Sequence, residues 1–262
     1  RHCPWKWRAR ALHRAAPRSV FRILREERVS LVMSDLTQPP TEPPRAIIFD
    51  WDNTLVDTWP TIHDAMNHTL VHFGMDPWSM DETRARVRKS MRDSFPTLFG
   101  DAWHDAADIF YGRYQDIHIK ELKPLPGAED MLRDLHGQGV FMSIVSNKLG
   151  EYLRQEAGHL GWEGYLVNLI GAGDATHDKP AIAPVHMALS GSGISPSASV
   201  WFVGDANIDL ECGLNAGCIS VLLRENDPDA GEFDDFPPHH HVKTCKQFNA
   251  LACNAIASFE SI

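Results

Sequence analysis

Two aspartates separated by one residue follow a short apolar run early in the sequence. The segment AIIFDWDNTLVDTW places Asp50 and Asp52 directly after the run Ala46–Phe49, with Trp51 between them. Carboxylates this close repel each other when both are ionised, so a buried pair needs a compensating cation or proton. On a surface hairpin such a pair would be harmless. The rest of the sequence has to decide whether the pair performs chemistry.

Polar residues also follow three later apolar runs. Parallel strands present their carboxyl ends at one edge of the sheet, where ligands bind in open α/β folds, so these residues are expected to meet Asp50 and Asp52. The later segments are Ser146-Asn147-Lys148, Asp178-Lys179-Pro180 and Gly204-Asp205-Ala206-Asn207-Ile208-Asp209.

Four carboxylates gathered at one edge predict a divalent cation that prefers oxygen ligands. Mg²⁺ is the natural choice, because it binds through one or two carboxylates, water and phosphate oxygens. The acids in this predicted cluster are Asp50, Asp52, Asp205 and Asp209.

The apolar runs are short, rich in β-branched and aromatic residues, and separated by stretches of helical length. This alternation predicts an α/β fold, a Rossmann-like parallel sheet with helices on both faces. The predicted strands are Ala46–Phe49, Val140–Val145, Leu166–Ile170, Val200–Val203 and Ile219–Leu223.

One connection is far longer than the others. More than sixty residues separate Trp59 from Pro126, and they contain amphipathic stretches without a convincing strand. We therefore predict an all-helical cap domain at residues 59–123, inserted into a core formed by residues 45–58 and 124–262.

Composition narrows the functional class. The 262 residues are 43% hydrophobic, and no apolar run reaches the roughly 18 residues that would span a bilayer. The five scattered cysteines form no CxxC pair, which favours reduced thiols in a cytoplasmic protein.

Residues 1–32 hold nine Lys/Arg and two Glu, so the remaining residues carry a net charge of −17. An acidic body argues against a nucleic-acid partner, and we expect a monomer or a homodimer without membrane attachment.

Residues 1–44 form a basic N-terminal arm followed by a Pro-rich linker. This composition buries little apolar surface, so we predict a segment that is disordered or appended to the native protein. A targeting leader, which is typically Arg-rich and poor in acids, and a nucleic-acid-binding tail are alternatives.

Taken together and in this order, the four motifs resemble those of the haloacid dehalogenase superfamily of hydrolases. The resemblance covers about residues 45–223, and the predicted insertion lies where that family keeps its helical cap. Phosphoglycolate phosphatase-like members look most similar. Asn53 departs from the pattern, because glycine is more common at its position.

The resemblance implies a role for each site residue. Asp50 would be the nucleophile that forms an aspartyl-phosphate, and Asp52 would protonate the leaving group and then activate water. Ser146 and Lys179 would hold the phosphoryl oxygens, with Thr54 and Asn147 assisting in substrate binding. Mg²⁺ would be held by Asp50, the main-chain carbonyl of Asp52, Asp205 and Asp209.

The cap is expected to recognise the leaving group of a small phosphorylated metabolite. Arg84, Arg88 and Arg92 recur every four residues, which predicts one face of a helix. Lys89 or Arg92 would then bind a substrate carboxylate, favouring a phosphoglycolate-type acid, although a solvated helix face explains the same charges.

Several other activities fit the same core. A sugar-phosphate mutase or a pyrophosphatase would retain all four motifs. Lys89 could serve a phosphonate hydrolase as an imine-forming lysine, whereas a dehalogenase would not need Asp52 as acid and base. An inactive binding protein is disfavoured because every motif keeps a chemically competent side chain.

Overall fold

The computed structural model describes residues 43–87 and 91–260, without the side chains of residues 92, 93 and 260. The predicted arm and linker therefore lie outside the described residues, except for residues 43 and 44. Within these ranges the strands are β1 Ala46–Phe49, β2 Val56–Asp57, β3 Lys123–Pro124, β4 Phe141–Leu149, β5 Asn168–Ala172, β6 Val200–Gly204, β7 Ile219–Leu223 and β8 His240–Val242. The α-helices there are α1 Trp59–His72, α2 Met80–Arg86, α3 Met91–Phe99, α4 Trp103–Glu121, α5 Ala128–Gly137, α6 Gly150–Leu160, α7 Ala183–Ala188, α8 Asn207–Asn215 and α9 Cys245–Glu260.

Among the described residues, six strands form one sheet in the order β5-β4-β1-β6-β7-β8, and every neighbouring pair is parallel. The central strand β1 is buried on both faces, because successive side chains point to opposite sides of a strand. Ile47 and Phe49 join a core cluster with α5, α6 and α9, whereas Ala46 and Ile48 pack with α7 and α8. The predicted α/β class with helices on both faces is confirmed.

The sheet differs from the predicted strands in several places. β5 spans Asn168–Ala172, two residues later than the predicted Leu166–Ile170. β4 runs to Leu149, four residues beyond its predicted end, with an irregular register after Val145. Strand β8 was not predicted, because its three residues lie in a histidine tract of weak strand propensity. His239 accepts a hydrogen bond from Ser220 N at 3.0 Å, and His241 Nε2 lies 2.9 Å from the carbonyl oxygen of Arg224. The side chains of these two histidines therefore bind backbone groups at the edge of the sheet.

Helices α1 to α4 occupy the long connection. They surround an apolar cluster of their own, with Leu70, Phe95 and Phe110 at its centre. The prediction that Arg84, Arg88 and Arg92 share one helix face is wrong, since α2 ends at Arg86 and position 92 belongs to α3. Val87 ends α2 with the non-helical dihedral angles φ −90° and ψ 70°.

The two chain segments that join the insertion to the core form a small antiparallel ribbon. Val56 pairs with Pro124 and Asp57 with Lys123, and Leu125 N donates to Leu55 O at 2.9 Å. Two-residue strands leave no periodic pattern, so this ribbon could not be predicted from the sequence. It fixes both ends of the insertion beside the turn that follows Asp52.

Across residues 43–87 and 91–260, no helix combines sufficient length with sufficient apolar content to cross a bilayer.

Candidate active site

Asp50 lies immediately beyond β1, and the neighbouring strand β6 fixes its backbone. Asp50 N donates to Val203 O at 2.8 Å, and the chain then turns so that Leu55 N donates to Trp51 O at 3.0 Å. Asn53 adopts φ 60°, a left-handed conformation that asparagine tolerates better than most residues and glycine adopts freely. This requirement explains why asparagine can stand where glycine is more common. The turn brings Asp52 back toward the sheet edge.

Lys179 joins the first and fourth motifs. Its Nζ lies 2.6 Å from Asp50 Oδ1 and 2.6 Å from Asp209 Oδ1. Asp209 is 1% exposed, and its second oxygen accepts from Ala206 N at 3.1 Å at the start of α8. Gly204 permits this approach, because a side chain at position 204 would collide with Asp209. The structure thus brings together residues that the sequence separates by more than 150 positions.

Asp205 completes a cluster of three acids. One carboxylate oxygen from each of Asp50, Asp205 and Asp209 lies within 4.8 Å of the others. Lys179 supplies one positive charge against three potential negative charges, which leaves an excess that a divalent cation would neutralise. Hard carboxylate oxygens at this spacing match the ligands that Mg²⁺ prefers. The residues present therefore fit the predicted metal.

The ionisation of the cluster reflects the same excess of negative charge. Burial raises the pKa of Asp50 to about 7, and Asp209 and Asp52 add to this rise while Lys179 opposes it. Burial, together with Asp209 and Asp50, also raises the pKa of Asp205 well above its ordinary value. Burial disfavours the charged form of Lys179, yet Asp209 and Asp50 outweigh that effect and raise its pKa. In the absence of metal, the cluster thus resists full ionisation of its carboxyl groups.

Ser146, Thr54 and Asn147 are the remaining predicted site residues of the core. Ser146 is 4% exposed and follows Ile144, the residue that pairs with Phe49 across the sheet, by two positions. Thr54 is fully buried, and its Oγ1 has no hydrogen-bond partner among the described residues. Asn147 holds the Lys179 main chain instead of pointing to open solvent: Lys179 N donates to its Oδ1 at 3.0 Å, and its Nδ2 donates to Lys179 O at 3.2 Å. Asn147 therefore positions the lysine.

Asp52 lies in a second group of charges. Lys148 Nζ is 2.6 Å from Asp52 Oδ1 and 2.6 Å from Glu156 Oε2. The side chain of Lys148 is 6% exposed and that of Asp52 is 22% exposed. The side chain of Asp52 is not one of the three clustered carboxylates, and its predicted metal contact through the main-chain carbonyl stays a prediction. We call Asp52, Lys148 and Glu156 the second lysine centre.

Glu156 is fully buried and receives further hydrogen-bond partners. Trp51 Nε1 donates to Oε2 at 2.6 Å, Tyr114 OH donates to Oε1 at 3.0 Å, and His118 Nδ1 lies 2.9 Å from Oε1. Burial opposes ionisation of this carboxyl group, but the hydrogen bonds from His118, Lys148 and Trp51 outweigh it and lower the pKa of Glu156. It is therefore a buried carboxylate with a full set of partners.

Sequence reasoning assigned no role to Lys148 or Glu156. Lys148 stands directly after the predicted Ser146-Asn147 pair, which was a visible signal. Glu156 lies between Leu153 and Ala157 on the buried face of α6, where an acid is unexpected. An acid on an apolar helix stripe was the second available signal.

The predicted anion-binding residues of the insertion, Lys89 and the side chain of Arg92, lie outside the described residues. Arg84 is described: it lies 4.0 Å from Asp81 and 6.0 Å from the ring of Trp59, with 53% of its side chain exposed.

Known proteins with similar sequences show which family this chain resembles. The family model described as haloacid dehalogenase-like hydrolase matches residues 47–223. The phosphoglycolate phosphatase of Aquifex aeolicus is 28% identical over 68% of this chain and 84% of its own length. The phosphoglycolate phosphatase of Xylella fastidiosa strain Temecula1 is 30% identical over 68% of this chain and 80% of its own.

A solved structure shows the same fold. The crystal structure of a predicted phosphoglycolate phosphatase from Haemophilus somnus covers 79% of this chain and 97% of its own, with a TM-score of 0.70 at 20% identity. This chain belongs to the haloacid dehalogenase-like hydrolase family. The predicted family and the hydrolase class are confirmed, and the curated relatives named as phosphatases agree with the predicted class of phosphoric monoester hydrolases.

Proposed function

We propose that this protein is a Mg²⁺-dependent phosphatase that hydrolyses a small phosphorylated carboxylic acid through an aspartyl-phosphate. The observation that carries the proposal is the Lys179 cluster, in which one lysine contacts Asp50 and Asp209 at 2.6 Å while Asp205 lies within 4.8 Å. Phosphoryl transfer depends mainly on positioning and on neutralising negative charge. A buried lysine and a set of metal-ligating carboxylates supply both.

In the first step, Asp50 attacks the phosphorus atom of the substrate. A bond forms between its carboxylate oxygen and phosphorus, and the bond from phosphorus to the ester oxygen breaks. Asp52, two residues further along the turn, gives a proton to the departing oxygen. Lys179 stabilises the charge on the transferring group and on Asp50.

In the second step, water hydrolyses the aspartyl-phosphate. Asp52, now ionised, removes a proton from the attacking water, and the bond from Asp50 to phosphorus breaks to release phosphate. Ser146 and Thr54, whose side chains are both buried, would donate hydrogen bonds to the phosphoryl oxygens. Asp50 thus carries the phosphoryl group, and Asp52 handles the proton in both steps.

Asp50, Asp205 and the main-chain carbonyl of Asp52 would hold Mg²⁺. Asp209 has partners on both oxygens, Lys179 and Ala206 N, which favours contact through water. When bound, Mg²⁺ supplies positive charge that neutralises the phosphoryl oxygens and the cluster of acids.

Relatives named as phosphoglycolate phosphatases support a phosphoglycolate-type substrate. The insertion would recognise the carboxylate of such a substrate through a cation, and Lys89 and Arg92 remain our candidates. The direct test measures phosphate release from 2-phosphoglycolate and from p-nitrophenyl phosphate, each with and without Mg²⁺. We expect turnover only with Mg²⁺ and a higher kcat/KM for 2-phosphoglycolate.

The same assay separates the alternatives. A pyrophosphatase would release phosphate fastest from inorganic pyrophosphate, and a sugar-phosphate mutase would convert a sugar phosphate to its isomer without net release of phosphate. The absence of both phosphate release from all of these compounds and isomerisation of a sugar phosphate would contradict the proposal and favour a binding protein.

A further inference from the structure

We propose that Lys148 is a positioning residue for Asp52, and that Glu156 makes this positioning depend on α4 of the helical insertion. The inference rests on the proposed phosphatase function, because it requires Asp52 to exchange a proton with the leaving group. The observation behind it is the second lysine centre, in which Lys148 Nζ lies 2.6 Å from both Asp52 Oδ1 and Glu156 Oε2.

The geometry limits the freedom of Lys148. A lysine side chain is normally flexible, but this one is 6% exposed and has a carboxylate on each side. Its contact with Glu156 is a charge-assisted hydrogen bond, a class about twice as strong as neutral ones. Its contact with Asp52 is an ion pair, and Asp52 Oδ1 is buried with no hydrogen-bond partner among the described residues. The attraction to Lys148 therefore holds the Asp52 carboxylate beside the lysine, and a general acid acts only when it reaches the leaving oxygen.

Glu156 in turn fixes Lys148. Its oxygens accept from Trp51 and Tyr114 and contact His118 and Lys148 at 2.6 to 3.0 Å. Because the carboxylate is fully buried, any displacement leaves charged or polar groups without partners, which is costly. Trp51 adds a direct link, since it stands between Asp50 and Asp52 in the sequence.

Helix α4 is the part of the insertion that contacts Glu156 and Lys148. Tyr114 and His118 lie one turn apart on this helix, and their rings stack at 5.2 Å between centroids. Lys148 Nζ also lies 5.5 Å from the centre of the Tyr114 ring. A shift of α4 would therefore alter the partners of Glu156 and Lys148 together. The position of the insertion is thus coupled to the group that protonates the leaving oxygen.

A purely structural role predicts different kinetics from a positioning role, and leaving-group dependence separates the two. Phenyl phosphate and p-nitrophenyl phosphate are similar in size, but only the phenolate of the former needs a proton to leave readily. The ratio kcat/KM reports the steps up to formation of the aspartyl-phosphate. Removing Lys148 should therefore affect phenyl phosphate more than p-nitrophenyl phosphate.

The experiment compares the full chain with its Lys148→Met, Lys148→Arg and Tyr152→Phe variants in saturating Mg²⁺. We expect Lys148→Met to lose roughly tenfold or more in kcat/KM on phenyl phosphate, within the usual range of general-acid effects, but about threefold or less on p-nitrophenyl phosphate. Lys148→Arg should recover part of the loss. Tyr152→Phe removes a hydroxyl from the same aromatic cluster without a bond to Glu156, and it should behave as wild type on both esters.

The coupling to α4 has its own test. Tyr114→Phe removes one hydrogen bond to Glu156 and should produce the same bias toward p-nitrophenyl phosphate, smaller in size. Combined with Lys148→Met, it should add little further loss, because both changes act through Asp52. Fully multiplicative effects would overturn the coupling through Lys148.

Two outcomes distinguish this inference from the proposed function. Equal losses on both esters in Lys148→Met, with an active wild type, would overturn the positioning role and leave the phosphatase intact. No phosphate release by the wild type would overturn both. Should Lys148→Met fold poorly because it leaves Glu156 unpaired, the Lys148→Met/Glu156→Gln variant removes both charges and must show the same leaving-group bias.

Discussion

Two lysines lie at the same edge of the sheet, each between two carboxylates, but their surroundings differ. Lys179 contacts Asp50 and Asp209, and a third acid, Asp205, stands beside them. Lys148 contacts Asp52 and Glu156. Neutral donors from Trp51 and Tyr114 complete the second group.

The difference separates a group with an excess of negative charge from one whose central carboxylate, Glu156, is held by several donors. Around Lys179 the described acids outnumber the cation, and burial raises the pKa of Asp50 to about 7. Around Glu156 the hydrogen bonds from His118, Lys148 and Trp51 overcome burial and lower its pKa. The first centre is therefore suited to a metal and a phosphoryl group, whereas the second holds parts of the protein in place.

The largest expected effect comes from the Lys179 centre. Asp50→Asn keeps the size of the side chain but removes the nucleophile, so we expect kcat to fall by more than about a hundredfold on every ester. Phosphate release measures the loss, and circular dichroism checks the fold. If Asp50→Asn retained more than about a hundredth of the activity, Asp50 would not be the nucleophile.

The effect of Mg²⁺ on the Tm of the protein should depend on the Lys179 centre and not on the second lysine centre. Mg²⁺ in large excess over its Kd should raise the Tm of the wild type by about 5–10 °C, because the ligand binds the folded state only. Asp205→Asn should raise the Tm measured without Mg²⁺, since it relieves repulsion in the cluster, and should lose most of the Mg²⁺-dependent rise.

The matched control is Lys148→Met, which lies in the second centre. It should keep the Mg²⁺-dependent rise in Tm, whatever its own Tm. A loss of that rise in Lys148→Met would show that the two centres act as one metal site.

Breaking the second centre should cost stability directly. Lys148→Met leaves the buried Glu156 carboxylate without its cation, so we expect a loss of about 3 kcal/mol in the free energy of unfolding, measured by urea denaturation. Lys148→Met/Glu156→Gln removes both charges and should recover part of that loss. A double variant less stable than the single variant would contradict this account.

The smallest effect is expected where a pair is exposed. Arg86 and Glu82 form an ion pair at 3.1 Å on α2, with side chains 52% and 47% exposed. Arg86→Gln should change the free energy of unfolding by about 0.5 kcal/mol or less, and should leave kcat/KM on p-nitrophenyl phosphate unchanged. A loss above about 1 kcal/mol would mean that exposure does not separate these charges from the buried centres.

The sequence was most informative where function depends on short spacings. Asp50 and Asp52 follow a strand whose bounds were predicted correctly, and Asp205 and Asp209 stand four residues apart at the start of α8. The order of strand and helix was readable for the same reason, because hydrophobic periodicity is a local property. The insertion was visible as a long helical connection.

The sequence was least informative at short elements and helix ends. The ribbon β2–β3 has two residues in each strand, and β8 has three. The break after Arg86 divides a stretch that its charge spacing presented as one helix. In each case too few residues carry the pattern for periodicity to be decisive.

The sequence by itself determined the family, the fold class and the meeting of Asp50, Asp205 and Asp209 at the sheet edge, because each motif is short and follows a strand. Only the tertiary structure decided how the carboxylates, now including Glu156, are divided between two lysines. The contacts that make this division span 105 residues from Trp51 to Glu156 and 42 residues from Tyr114 to Glu156. Such contacts depend on how α4 and α6 pack against each other, and side-chain packing over that separation leaves no local pattern in the sequence.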